Sequence, residues 1–148
     1  MDIAINKKAR FNYEILEQFE AGIVLLGTEV KSIRAKKISL VDSHAVFKGN
    51  ELYLVNARIE PYSHGTSFNH EPTRSRKLLM HKKEIMRLKG KLKEKGWVLV
   101  PLKVYIKNNK NVKVQLGLGK GKKIHDKRQT IKNRDLDRDA QRELKNFG

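Results

Sequence analysis

Cysteine is absent from the chain, which removes disulfide staples, thiol catalysis and cysteine–zinc sites together. Acids are scarce: 16 Asp and Glu stand against 33 Lys and Arg in 148 residues, a formal charge of +17. A surplus of this size repels itself and weakens the compact state, so it implies a polyanionic partner. Long apolar runs are missing too. None approaches the ~20 residues a membrane-spanning helix needs, and Met1–Arg10 holds no apolar segment of the signal-peptide kind. No strong amphipathic anchor for an anionic membrane is present either. These absences set the expectation of a cytoplasmic protein without a membrane partner.

What is present divides at about Leu118. Residues 1–118 carry a charge of +12 and alternate apolar with polar residues, whereas residues 119–148 carry +5 and little apolar content. A body of that length buries a core without a metal or disulfide. Within it, Phe11, Tyr13 and Ile15 alternate as in a half-buried strand, and Ile23–Leu26 reads as a central strand. Thr28 is placed to cap a short helix over 29–34, with Val30 and Ile33 inward. Ala45–Phe47 and Leu52–Val55 flank a turn and form a hairpin. Pro61–Lys77, with two of the three prolines, reads as an exposed loop ending in Arg74, Arg76 and Lys77. Leu78–Lys95 reads as one amphipathic helix on the stripe Leu78, Ile85, Leu88 and Leu92, with Gly96 as its stop. The clearest pattern is a last hairpin, Val98–Ile106 and Val112–Leu118 around a polar turn. Several short hairpin strands with few helices predict an α+β, mainly antiparallel small barrel or sandwich.

Beyond Leu118, four of the ten residues Gly119–Arg128 are lysines (120, 122, 123 and 127). Further on, Leu136, Ala140, Leu144 and Phe147 share one side of a helical wheel and arginines the other. That stripe is too thin to fold alone, so the expectation is disorder until an anionic partner orders it.

No cofactor, metal or nucleophile motif stands out. His125-Asp126 is a weak acid–base candidate, because adjacent residues point different ways on a helix; base stacking or phosphate contact suits this basic setting better. Gly117–Lys122 lacks the phosphate-loop spacing and is read as a hinge where the last strand leaves the body. Arg74, Arg76 and Lys77 concentrate charge on one edge. The lysines of 82–95 read equally as a solvated face or as an RNA surface. Tyr13, Tyr53, Tyr105 and Trp97 sit in strand patterns and are read as core rather than stacking platforms. The residues point to a non-enzymatic RNA-binding protein. A general RNA chaperone and a nuclease using His125 and Asp126 stay open as alternatives.

Five segments, taken in order, go further: Asn6–Arg10, Phe19–Ile23, Gly27–Ser32, Pro72–Leu79, and Gly121–Lys123 leading into His125–Arg128. Together they resemble the small protein B family, which binds transfer-messenger RNA (tmRNA) in bacterial trans-translation. The resemblance implies an oligonucleotide-binding-type (OB-fold) barrel with flanking helices, no catalysis and no cofactor. It implies that the body, residues 1–118, binds the tRNA-like domain of that RNA near its elbow. Asn6, Glu20, Leu79 and Lys113 match positions on the RNA-facing surface, to which the basic residues Lys7, Arg10, Lys31, Arg34, Arg74, Arg76 and Lys77 are added. The tail, residues 119–148, is implied to enter the small ribosomal subunit, with Lys120, Lys122, Lys123, His125, Asp126, Lys127 and Arg128 at the decoding region and the empty messenger path. Elongation factor Tu is the further partner the resemblance implies.

Overall fold

Two long strands, β8 (Val98–Lys107) and β9 (Asn111–Gly121), form the hairpin that the alternating valines and leucines predict. Asn108 and Asn109 at its tip both take positive φ, which asparagine tolerates better than most residues. The structure is a computed structural model and describes residues 1–62 and 69–121.

In chain order, β1 (Asp2–Ile5) and α1 (Lys7–Asn12) lead into β2 (Tyr13–Ile23), and α2 (Gly27–Arg34) follows. Then come β3 (Ile38–Ser39), β4 (His44–Lys48), β5 (Glu51–Val55), β6 (Arg58–Ile59), β7 (Arg76–Leu79) and α3 (Lys82–Lys95). The seven-stranded sheet runs β1-β8-β4-β5-β7-β2-β9, and β8 also pairs with β9. That last pairing closes β8, β4, β5, β7, β2 and β9 into a ring, and every pairing in it is antiparallel. The expected α+β barrel with flanking helices is therefore what the chain builds. Its interior holds Phe19, Ala21, Leu52, Leu54, Leu78, Leu99, Val104, Val114, Leu116 and Leu118, with Ile33 of α2 and Leu88 of α3 packed against them. A smaller cluster of Ala9, Val100 and Leu102 sits under α1.

Several local expectations are corrected. Phe11 lies in α1, not in a strand, and β2 ends where a central strand was expected to begin. Val24 and Leu26 are exposed because the chain leaves the sheet there to enter α2. That helix is entered at Leu26 rather than Thr28, and the Leu26 N–H donates to the Glu29 carboxylate at 2.7 Å. Leu78 and Leu79 belong to β7; α3 starts only at Lys82 and stops at Gly96, whose φ of +66° is left-handed. Tyr53 and Tyr105 alternate with buried neighbours (Leu52 and Leu54, Val104 and Ile106) and so stand on the outer face. The glycines read as a hinge are interior strand positions. A Cβ on Gly119 would come within 3.0 Å of Tyr13 Cβ and 3.2 Å of the Glu14 carbonyl, and one on Gly117 within 3.0 Å of Leu102. These glycines let β2 and β8 approach β9 closely, and the strand continues to Gly121.

Candidate nucleic-acid interface

Strand register assembles one row across four strands. Leu79 on β7 stands opposite Gly22 on β2, Gly22 opposite Lys113 on β9, and Lys113 opposite Tyr105 on β8. All face outward, since Leu78, Ala21, Val114 and Val104 beside them are buried and strands alternate. Gly22 brings no side chain, so bare backbone lies between Lys113 and Leu79, an apolar side chain that is 49% exposed. Glu20, two residues before Gly22, joins the same face. It accepts a hydrogen bond from the Tyr105 hydroxyl and pairs with Lys107 at 3.1 Å. These two bonds, that of Tyr105 first, hold the Glu20 carboxyl below its ordinary range. Burial, then the Glu20 bond, raises the Tyr105 hydroxyl above a normal phenol. A carboxylate alone on this face would repel a polyanion. Here it orders Lys107 and a tyrosine beside Lys113.

α2 borders this face. The Arg34 guanidinium reaches the Asn109 carbonyl in the β8–β9 turn at 3.4 Å, and the Lys31 ammonium lies 5.4 Å from the centre of the Tyr62 ring. What fixes α2 is buried. Glu29 accepts from Arg76 Nε at 2.5 Å and from Arg74 Nη2 at 2.6 Å, and neither Glu29 nor Arg76 has exposed side-chain surface. Arg76 also donates to the carbonyls of Ala57 at 2.8 Å and Pro72 at 3.1 Å. Burial is the largest influence on the Glu29 carboxyl and pushes its pKa up. The bonds from Arg74, the Leu26 N–H and Arg76 overturn it, leaving the group below the carboxylate range. His70 completes the lock: its Nε2–H donates to the Ile59 carbonyl at 2.9 Å, and Thr28 Oγ1 lies 2.8 Å from Nδ1.

The expected site residues therefore separate. Glu20, Leu79 and Lys113 converge on the row, and Lys31 and Arg34 lie at its border. Arg74 remains partly exposed beside Glu29. Arg76, expected on the RNA edge, is corrected to a wholly buried ion-pair partner, because Glu29 and the carbonyls of Ala57, Glu71 and Pro72 take its donors. Lys77 is partly exposed and pairs with Glu51, and Lys120 with Glu14, each at 3.4 Å; such pairs stabilise by only about 0–1 kcal/mol, so a phosphate can replace the carboxylate. Lys7 and Arg10 project from α1 and are exposed. Asn6 is buried rather than on the row, donating to the carbonyls of Pro101 at 2.9 Å and Leu40 at 3.4 Å. It holds the β1–α1 junction on β8. Lys122, Lys123, His125, Asp126, Lys127 and Arg128 lie outside the described residues.

Glu29, His70 and Lys107 were not singled out as site residues from the sequence, and Tyr105 was read as core. The one signal for Glu29 was an acid inside Gly27–Ser32 in a chain short of acids. Among the described residues, no group of three or more His, Asp or Glu could hold a metal ion, and no helix is long and apolar enough to cross a membrane.

The comparisons with known proteins meet this geometry. The family model described as "SmpB protein" matches residues 3–146. The chain belongs to the SmpB family. An SsrA-binding protein of Magnetococcus marinus is 60% identical over 143 residues, covering 97% of this chain and 95% of the relative. One of Trichormus variabilis is 56% identical over 146 residues, covering 98% and 94%. A solved chain described as "tmRNA-SmpB: a journey to the center of the bacterial ribosome" superposes with a TM-score of 0.67 at 53% identity, covering 81% of this SmpB-family chain and 84% of its own length.

Proposed function

We propose that the protein binds the tRNA-like domain of tmRNA through its barrel and delivers that RNA to stalled ribosomes for trans-translation. The observation that carries this reading is the convergence of Glu20, Leu79 and Lys113 on one outward row, in a chain whose relatives are SsrA-binding proteins. Cations there contact phosphates and fix position without reading sequence. The apolar Leu79 and the bare backbone at Gly22 supply a shape for a folded RNA to match. The body extends through β9, so the tail acting in the ribosome is the chain beyond Gly121. Lys122, Lys123, His125, Asp126, Lys127 and Arg128 occupy the decoding region and the empty messenger path, where anionic walls offset the entropy of ordering them. Elongation factor Tu accompanies the complex during delivery. The protein acts by binding and not by catalysis, in the cytoplasm where ribosomes work.

Gel shifts against tmRNA and ordinary transfer RNA at two salt concentrations test the first step. A clear preference for tmRNA is expected, and equal affinity for both would mean a general RNA binder. Residues 1–121 alone should hold tmRNA nearly as well as the full chain yet fail to support tagging of stalled nascent chains. Loss of RNA binding in that truncation would refute the division between body and tail.

A further inference from the structure

We propose that the cavity between α1, β4 and the end of α3 binds a single nucleotide, its base among aromatic side chains and its phosphate at a lysine rim. The cavity measures about 710 Å³, within the ~300–1,000 Å³ usual for small-molecule sites and far too small for a helical piece of RNA. It lies on the seam between the two apolar clusters: Phe47 and Trp97 pack on the larger, Tyr13 and Val98 on the smaller, and all four line it. Each is only half-buried, because neither cluster closes over the gap.

Those walls keep unused polar capacity. The Trp97 indole N–H, the Tyr13 hydroxyl and the His44 imidazole line the cavity or its edge and have no hydrogen-bond partner among the described residues. Being half-buried, these groups face solvent in the free protein and are available to a ligand. A nucleobase offers a flat face for the three aromatic rings together with ring donors and acceptors; a purely aliphatic ligand would leave the polar groups unsatisfied. The rim selects charge. Lys8 and Lys93 have no ion-pair partner among the described residues, Lys89 is held by Asn50 at 2.9 Å, and Asp42 is the single acid lining the cavity. Cations therefore dominate the mouth, as a phosphate requires. The same ligand chemistry comes from two sources, an unpaired base extruded from an RNA or a free mononucleotide. None of the lining residues belongs to the row of Glu20, Leu79 and Lys113, so this site stands or falls apart from the function proposed above.

Trp97 is the only tryptophan of the chain, so its emission reports on the cavity directly. The full chain is titrated with AMP, with an RNA hairpin carrying one bulged adenosine, and with the same hairpin fully paired. Saturable quenching by AMP assigns a free-nucleotide site, and quenching by the bulged hairpin alone assigns a site for an extruded base; either supports the proposal. Lys93→Glu, an exposed change, should weaken that quenching about tenfold, the size of one lost ionic contact. Val46→Phe should abolish it by filling the space, with thermal melts recorded to show that both variants fold. The proposal is overturned if neither AMP nor the bulged hairpin quenches saturably, if AMP fails and the paired hairpin quenches as well as the bulged one, or if folded Lys93→Glu protein quenches like the unchanged chain.

Discussion

Removing one partner of the Glu29–Arg76 pair leaves the other charge in a site without water, a loss of about 3–5 kcal/mol. Glu29→Gln should therefore lower the unfolding free energy read from a urea curve by that much, whereas Arg58→Gln, in an exposed pair with Glu60, should shift it by less than about 1 kcal/mol. The pair also sets a pH dependence. The Glu29 carboxyl in the fold lies below its ordinary value of 4.5, so the folded state binds fewer protons than the unfolded one in acid. Its contribution is complete above that ordinary value and disappears as pH falls through the lowered one. Across a urea series from neutral pH into acid, the unchanged protein should lose more stability than Glu29→Gln, which has no such group. Equal slopes would mean that the pair is not the acid-sensitive contact. On the outer face, Glu20 makes an unusual test. If it repelled RNA, Glu20→Ala would tighten binding; because it orders Lys107 and Tyr105 beside Lys113, the substitution should instead weaken binding in a filter assay.

Elements were legible where apolar residues recur at every second position in the sequence. Val98, Val100, Leu102 and Val104, then Val112, Val114, Leu116 and Leu118, give the β8–β9 hairpin, although a register shift between Pro101 and Lys103 sends Val100 and Leu102 to the smaller cluster and Val104 to the larger. The same pattern gives β4 and β5. It fails where tertiary pairing decides. Leu78 and Leu79 continue the helical stripe of α3 in sequence, yet Leu78 pairs with Leu52 and Ile23, so the sheet captures them. Glu14, Gln18 and Glu20 hid much of β2, since its outer face is polar. Of the site, Glu20, Leu79 and Lys113 were reachable through the family resemblance alone, because a glutamate, a leucine and a lysine carry no motif of their own, and Tyr105 was taken for core. Arg76 was misplaced because its buried partner lies 47 residues away in α2. The glycines of β9 were mistaken for a hinge because their role is to leave room, which a single strand cannot reveal. Adding side chains there should strain the barrel. Gly119→Val meets Tyr13 and the Glu14 carbonyl and should cost about 1–3 kcal/mol in a thermal melt, while Gly121→Ala, with nothing within 4 Å of its Cβ, should be close to neutral. A neutral Gly119→Val would show that β2 and β9 are less closely apposed than the register implies.

Charge is arranged at the scale of the whole molecule. Residues 1–121 hold 24 of the 33 basic and 11 of the 16 acidic residues. Seven of those acids (Asp2, Glu14, Glu17, Glu20, Glu29, Glu51 and Glu60) sit in ion pairs. The acids thus organise cations and leave a body that is still strongly positive. Binding through such a body releases counterions, so its affinity for RNA should fall linearly on a log–log plot against salt. Lys113→Ala should lower the magnitude of that slope by about one, as one lost phosphate contact does. If the tail acts only in the ribosome, residues 1–121 and the full chain should share one slope on isolated tmRNA and separate on ribosomes, where the full chain is steeper. Two different slopes already on the isolated RNA would show that the tail grips tmRNA itself, and the division of labour between barrel and extension would have to be redrawn.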